Sequence, residues 1–430
     1  MLADKVSGNL AGVWLLVAEH LRLGTWDLLC GWTAQPSERA EPRLALQLVH
    51  EAAVCTAGIR ADRTLHTRGG FELVNGLPFV ASDATMHHLL NANTVADSQR
   101  LQVALGKLRR ASGHFQGKLL AIDPHRVQSH SQRRVRQRVE RRGQRPTKQA
   151  QTFWVLDADT HQPVCFTTAT AARSVVTATP ELLDLASEIL RPSDEATLVL
   201  ADSEHFSSEL LHDVHQRSGF DLLVPLPSQP AFRRSYQEIP AEQFTRRWAG
   251  YATTKVPYEV KYGQPGRYWK LVERFGERPE EWSFKGFLST TDCAEVDTLT
   301  RDFPQRWHVE EFFNAHQALG WKRSGTLNLN IRYGQMTMAL IAQAVLHQLR
   351  ERLGEPYCTW DADHLSKDLL FALEGDVRVK DDTILVTYYN APNADHLRAH
   401  YEDLPNQLSA QNIAPEIPWL YGYKLNFRFC

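Results

Sequence analysis

Apolar residues recur along this chain in two rhythms. Up to about residue 115 they return every three or four positions, as in GVWLLVAEHL, ALQLVHEAAV and VADSQRLQVALGKLRR, the spacing of amphipathic helices. NGLP at 75–78 marks a turn, and SDATMHHLL opens at Ser82 with residues suited to cap a helix. Short helices joined by turns fit a DNA-binding helix-turn-helix, and equally a helical cap. After Gly117 the rhythm shortens. KLLAID (118–123), TFWVLD (152–157) and PVCFTTA (163–169) read as strands, the last two joined by the polar turn ADTHQ. PELLDLASEILR predicts a helix, TLVLAD (197–202) a buried strand, SSELLHDVHQRSG a helix ended by Gly219, and DLLVPL (221–226) another strand. The order is therefore β-β-β-α-β-α-β.

From about 227 to 288 aromatic and basic residues alternate in RRWAGYATTKVPYEVKYG, GRYWKLVERFG and FKGFLST, which predicts a β-rich insertion. A helix follows over 292–318, then the long helix IRYGQMTMALIAQAVLHQLRERLG, the strand TILVTYY (383–389), a helix around ADHLRAHYEDL and the aromatic tail PWLYGYKLNFRF. The divisions expected are a helical N-terminal region (1–115), an α/β domain in two parts (116–226 and 291–350), the insertion (227–290) and a C-terminal region (351–430). No internal repeat or low-complexity tract interrupts them.

Composition narrows the class. A chain of 430 residues, 43% hydrophobic and 23% charged, can build a sizeable core and lacks the signature of disorder. Its N-terminal apolar stretch NLAGVWLLVAEHLRLG meets Glu19 and His20 before reaching the roughly 20 residues of a membrane span, so it reads as a core helix, with no membrane partner expected. It also lacks the basic start and small-residue cleavage site of a secretory signal. Six scattered cysteines without a CxxC pair suit free thiols in a reducing cytoplasm. A net charge of -2 gives no general attraction to nucleic acid, so any polyanion site must be local. One candidate is the run from Arg126 to Lys148, with nine Lys or Arg against the single acid Glu140. It is either a solvated charged segment or a phosphate-contacting arm.

Candidate chemistry sits at strand ends. Asp123 and Asp202 each close a buried-looking strand, where ligands of open α/β sheets bind, although either could merely cap the next helix. In FPQRWHVEEFFNAHQ (303–317), Phe303, Trp307, Val309, Phe312 and Phe313 supply an apolar face. At about 100° per residue, Phe303, Arg306, Glu310 and Gln317 fall near 0°, 300°, 340° and 320°, one narrow stripe, with Glu311 pointing sideways. Arg306 and Glu310 could also be an ordinary surface ion pair. His205 and His308 lie near the acids in sequence, Asp157 and Asp159 fall in a turn where aspartate is common, and SGHFQGK (112–118) mimics a phosphate loop with the wrong spacing and context.

Together these residues resemble the DDE transposases of bacterial insertion sequences, in particular the IS-four group. LLAIDPHRV and LVLADSEHF are similar to that family's first two acid motifs. The family's third motif reads Tyr, two residues, Arg, three residues, Glu, six residues, Lys; here the same window holds Phe303, Arg306, Glu310 and Gln317. The resemblance covers about 80–430 and implies an α/β, ribonuclease H-like mixed sheet with flanking helices, a β-rich insertion before the last catalytic helix and a helical N-terminal region. It implies that Asp123, Asp202 and Glu310 are both catalytic residues and ligands of two Mg²⁺ (or Mn²⁺) ions. DNA contacts are expected from Arg306, Gln317, Lys322, Arg323, Arg133, Arg134, Arg136, Arg138, Arg141, Arg142 and Trp269, with Trp248 and Trp282 as further stacking candidates. Phe303 lacks the hydroxyl and Gln317 the charge of the family motif; Lys322 and Arg323 offer that charge a few residues later. The partners implied are double-stranded DNA with terminal inverted repeats, target DNA and a second copy of the chain in a homodimeric end complex. The expected place is the bacterial cytoplasm, at the nucleoid when bound to DNA. The rivals are a nuclease of the same fold without strand transfer, and a catalytically inactive DNA-binding descendant.

Overall fold

Leu120, Ala121 and Ile122, three successive residues with no exposure to solvent, mark a strand covered on both faces. They belong to β1 (Leu119–Gln128). The computed structural model that places them describes residues 5–56, 65, 70–139, 145–191, 197–217, 219–260, 268–322 and 324–430. The chain divides into two compact units, one made of residues 113–126 and 135–312, the other of residues 1–112, 127–134 and 313–430.

In the first unit β2 (Thr147–Asp157) and β3 (Gln162–Thr170) form an antiparallel hairpin, with β2 beside β1. On the other side of β1, β4 (Thr197–Leu200) and β5 (Phe220–Pro225) continue in parallel. The order β3-β2-β1-β4-β5 is the ribonuclease H-like arrangement expected from the resemblance. Parallel neighbours need crossovers, and helices Val175–Leu190 and Ser208–Arg217 provide them. Ser174 caps the former, its hydroxyl accepting the Thr177 N–H at 3.2 Å.

The alternating segment after β5 begins with a helix, Pro230–Gln237, and then forms a meander of β6 (Thr245–Trp248), β7 (Tyr251–Tyr258), β8 (Tyr268–Phe275) and β9 (Ser283–Ser289). β9 pairs antiparallel with β5, Phe287 opposite Pro225 and Ser289 opposite Leu223, so the insertion prolongs the central sheet. Leu200, Leu223, Leu271, Phe287 and Leu299 bury one another where the two parts join.

The segment expected as one helix over 292–318 changes winding several times. A short α-turn (Glu295–Asp297) passes into a π-helix (Thr298–Asp302), a 3₁₀-helix (Phe303–Trp307) and then the α-helix His308–His316. Pro304 accounts for this: it has no N–H to donate, and its ring would strike the carbonyl four residues back in a regular α-helix. The wheel drawn from the sequence therefore fails at Trp307, which is 55% exposed instead of buried, while Val309 and Phe312 are buried as expected. Phe312 packs edge-on to Trp154 of β2, ring centroids 5.5 Å apart, and so fixes the helix to the sheet.

The β2–β3 turn is held by a fully buried carboxylate. Asp157 accepts the N–H groups of Gln116 and Gly117 at 2.8 and 2.7 Å through one oxygen, and those of Asp159 and Thr160 at 3.2 and 3.0 Å through the other. Asp157→Ala would leave these donors unpaired. It should lower the unfolding free energy by on the order of 3 kcal/mol in urea titrations.

In the second unit the helix Leu329–Leu353 is buried over most of its circumference. Helices Trp14–Leu23, Ala40–Ala53, Asp83–Ala92 and Val95–Ala111 pack on it. Side chains pack directly on its backbone there, since a Cβ on Gly334 would lie 2.6 Å from a methyl carbon of Leu90. A five-stranded sheet takes in Val6–Gly8, Gly375–Lys380, Thr383–Tyr388, Tyr423–Phe429 and Glu416–Ile417 in that order. Among the described residues no helix is long and apolar enough to cross a membrane.

Candidate active site

Strand register places the two aspartates side by side. Ala121 of β1 is opposite Leu200 of the parallel β4, and Asp123 and Asp202 each follow two residues later. β1 runs on to Gln128, so Asp123 lies within its strand instead of closing it as the apolar run LLAID suggested; because side chains alternate between faces with a period of two, its carboxylate is nevertheless level with Asp202 just past the end of β4. Asp202 also caps the 3₁₀-turn Ser203–His205, accepting the Glu204 N–H at 3.0 Å. The capping alternative therefore holds for this residue.

His205 is buried, with Nδ1 2.7 Å from Asp202 Oδ1. A carboxylate only accepts, so Nδ1 carries the hydrogen. Burial works to raise the Asp202 acid, but the hydrogen bond and charge of His205, with the Glu204 amide and Arg306, outweigh it and hold that carboxyl below its ordinary value. Among the described residues Asp123 has no such donor. Burial, reinforced by the charges of Asp202 and Glu310 and opposed by Arg306 and Arg126, pushes its carboxyl up to about 7. Two neighbouring acids are thereby driven apart, a pattern concentrated at functional sites.

Arg306 bridges to the third acid. Its guanidinium lies 3.1 Å from Glu310 and 4.0 Å from Asp123. The ion pair inferred from the i, i+4 spacing therefore exists, but it faces the aspartates. Glu310 is 35% exposed at its side chain and Glu311 57%. Asp123, Asp202 and Glu310 do not close to within 4.8 Å of one another as a trio; Arg306 stands among them.

Sequence reasoning missed Glu204. Both Nη atoms of Arg126 hydrogen-bond to its carboxylate, Arg126 Nε donates to Gln151 Oε1 at 2.9 Å, and Arg138 reaches Glu204 at 3.3 Å. The adjacent positions Asp202 and Glu204 were a signal available in the sequence, but their partners arrive from a different strand. Arg138 is therefore half-buried in a clamp, while Arg133, Arg134 and Arg136 are exposed. Arg141, Arg142 and Arg323 lie outside the described residues.

Gln317 and Lys322 belong to the other unit, where the Gln317 carbonyl accepts the Lys322 N–H at 3.2 Å. Trp269 is half-buried against the Leu271–Phe287 cluster, with the Lys255 ammonium 5.3 Å from its ring centre. Trp282 faces Arg274 at 4.0 Å. Trp248 is the exposed tryptophan of the insertion, 51% accessible and stacked on Tyr251 at 4.3 Å. Phe303 packs on Phe287 at 4.8 Å, so a ring without a hydroxyl suits its place.

Asp123 within β1, Asp202 just past β4 and Glu310 on the helix after the insertion thus lie on or beside a sheet of ribonuclease H-like order. A family model described as the transposase DDE domain matches residues 114–345, and the chain belongs to that family. It is thus a transposase-type enzyme of a family that typically uses divalent metal ions. Among solved structures, a piggyBac transposase synaptic complex with hairpin DNA is similar at 12% identity, over 83% of this chain and 79% of that one, with a TM-score of 0.44. No curated protein matches in sequence.

Proposed function

We propose that this protein is a DNA transposase of the IS-four type of bacterial insertion sequence, which cuts at the ends of its element and joins the exposed 3′-hydroxyl to target DNA. The observation that carries this reading is the half-buried acid cluster: the charges of Asp202 and Glu310 act on Asp123, with Arg306 as the close cation, while Arg126 is taken up by Glu204. Such a concentration of negative charge calls for further cations, and the all-oxygen donor set suits Mg²⁺ or Mn²⁺. The residues that would hold the metal are Asp123, Asp202 and Glu310, and a pair of ions belongs to the same reading. Bound there, the metal would supply Lewis-acid activation of a water or 3′-hydroxyl and would stabilise the leaving oxygen.

The chain's own residues do the positioning. His205 fixes the Asp202 carboxylate by its Nδ1–H, so that the lone pairs left over point away from the histidine. Arg306 offers a planar fork of donors for a non-bridging phosphate oxygen, at a place where the phosphodiester would meet all three acids. The exposed Arg133, Arg134 and Arg136 give DNA phosphates a sequence-independent contact, and Trp248 presents an open face to an unstacked base. Terminal inverted repeats, a homodimeric end complex and a cytoplasmic setting at the nucleoid belong to the same reading.

The test uses DNA flanking the gene, purified protein and Mg²⁺ or Mn²⁺, with Glu310→Gln and Glu311→Gln as the comparison. Glu310→Gln should reduce cleavage at the element's ends by at least about a hundredfold, with Glu311→Gln near wild type. Equal cleavage by wild type and Glu310→Gln would overturn the assignment. Cleaved ends without joined products would favour a nuclease, and specific binding without cleavage by any form would indicate an inactive descendant.

A further inference from the structure

Three side chains outside the acid cluster converge beside the helix that carries Glu310. His161 leaves the β2–β3 turn in a left-handed backbone conformation, φ 57°, and its ring meets that of His308 at 3.7 Å between centroids. Glu311 follows one turn after His308 on the same helix. One ligand atom from each of the three lies within 4.8 Å of the others, the one such His/Cys/Asp/Glu cluster among the described residues.

The ligand atoms are oriented as well as close. His308 Nδ1 is 3.1 Å from the Ala158 carbonyl oxygen, which can only accept, so Nδ1 carries the hydrogen and the Nε2 lone pair is free to bind. This is the carbonyl-backed histidine typical of metal centres. Nε2 lies 4.0 Å from Glu311 Oε2. Tetrahedral ligands at about 2.0–2.1 Å from an ion stand roughly 3.4 Å apart, so closure needs only small rotations. The turn itself is rigid: Asp157 binds its amides, and the Ala158 N–H donates to the Leu119 carbonyl at 2.9 Å.

We propose that His161, His308 and Glu311 form a transition-metal site, separate from the Asp123–Asp202–Glu310 cluster, that ties the β2–β3 turn to the helix carrying Glu310. Two imidazoles and one carboxylate suit a borderline ion such as Zn²⁺ and disfavour Mg²⁺. Three protein ligands leave a fourth position for water. The readout is metal binding, so the proposal stands or falls independently of transposition.

The experiment titrates the full chain with Zn²⁺ by calorimetry, and with Co²⁺ by visible absorption, in excess Mg²⁺ to occupy the carboxylates. One equivalent should bind, with affinity reduced at least about tenfold in His161→Ala and in Glu311→Gln and unchanged in Asp123→Ala. Glu311 is exposed, so its substitution probes the site even if His161→Ala disturbs the turn. No Zn²⁺ binding in excess Mg²⁺, equal affinity in wild type and Glu311→Gln, or loss of binding in Asp123→Ala would each overturn the proposal.

Discussion

Asp123→Asn should abolish cleavage, by at least about a thousandfold, and at the same time make the metal-free protein more stable above neutral pH. The second half follows from the raised acid. Asp123 ionises near its ordinary 3.8 in the unfolded chain and near 7 in the folded one. A group whose folded value is raised contributes stability that is fully present below the unfolded value and is lost as pH rises through the folded value. Metal-free wild type should therefore weaken between about pH 4 and 8. At roughly 1.4 kcal/mol per pH unit, the gap from 3.8 to about 7 sets an upper limit of about 4 kcal/mol. The asparagine cannot ionise, so this loss should vanish. Thermal melts in EDTA across that range would show it, and added Mg²⁺ should restore stability in wild type but not in the variant. Parallel melting curves for the two proteins at every pH would show that Asp123 is not held in a strained ionisation state.

Arg306→Ala should lower cleavage by about a hundredfold or more, while Arg306→Lys recovers only part of it, because a lysine has the charge but not the planar fork. The guanidinium lies 4.0 Å from Asp123 and 3.1 Å from Glu310, and it lowers the Asp123 acid against the effect of burial. Its removal should accordingly move the pH-dependent stability loss of the metal-free protein upward, toward more alkaline pH. A merely structural ion pair would change stability without changing where on the pH axis the loss occurs. Unchanged cleavage by Arg306→Ala would remove this arginine from the site.

Much of the structure around the acids was readable locally. Strands such as LLAID and LVLAD announce themselves by apolar runs ending in a charge, and the four-residue spacing of Arg306 and Glu310 survives the change from 3₁₀- to α-helix between them. Trp307 was misjudged because a helical wheel assumes uniform winding, and Pro304 breaks that uniformity. The basic run from Arg126 looked uniformly available for phosphate. Arg126 and Arg138 are instead held by Glu204, a residue 66 positions beyond Arg138.

By itself the sequence determined the β-β-β-α-β-α-β order, the placing of Asp202 at the end of its strand and the family motif around Glu310. Periodicity and short spacings record these, because they depend on neighbours within a few residues. Tertiary structure alone decided that β1 and β4 lie in a register that levels the two aspartates, that the Asp123 acid rises while Asp202 is held down by His205, and that His161 meets His308 across 147 positions. Each of these depends on which strands pair and how deeply a charge is buried, and neither is written in local spacing.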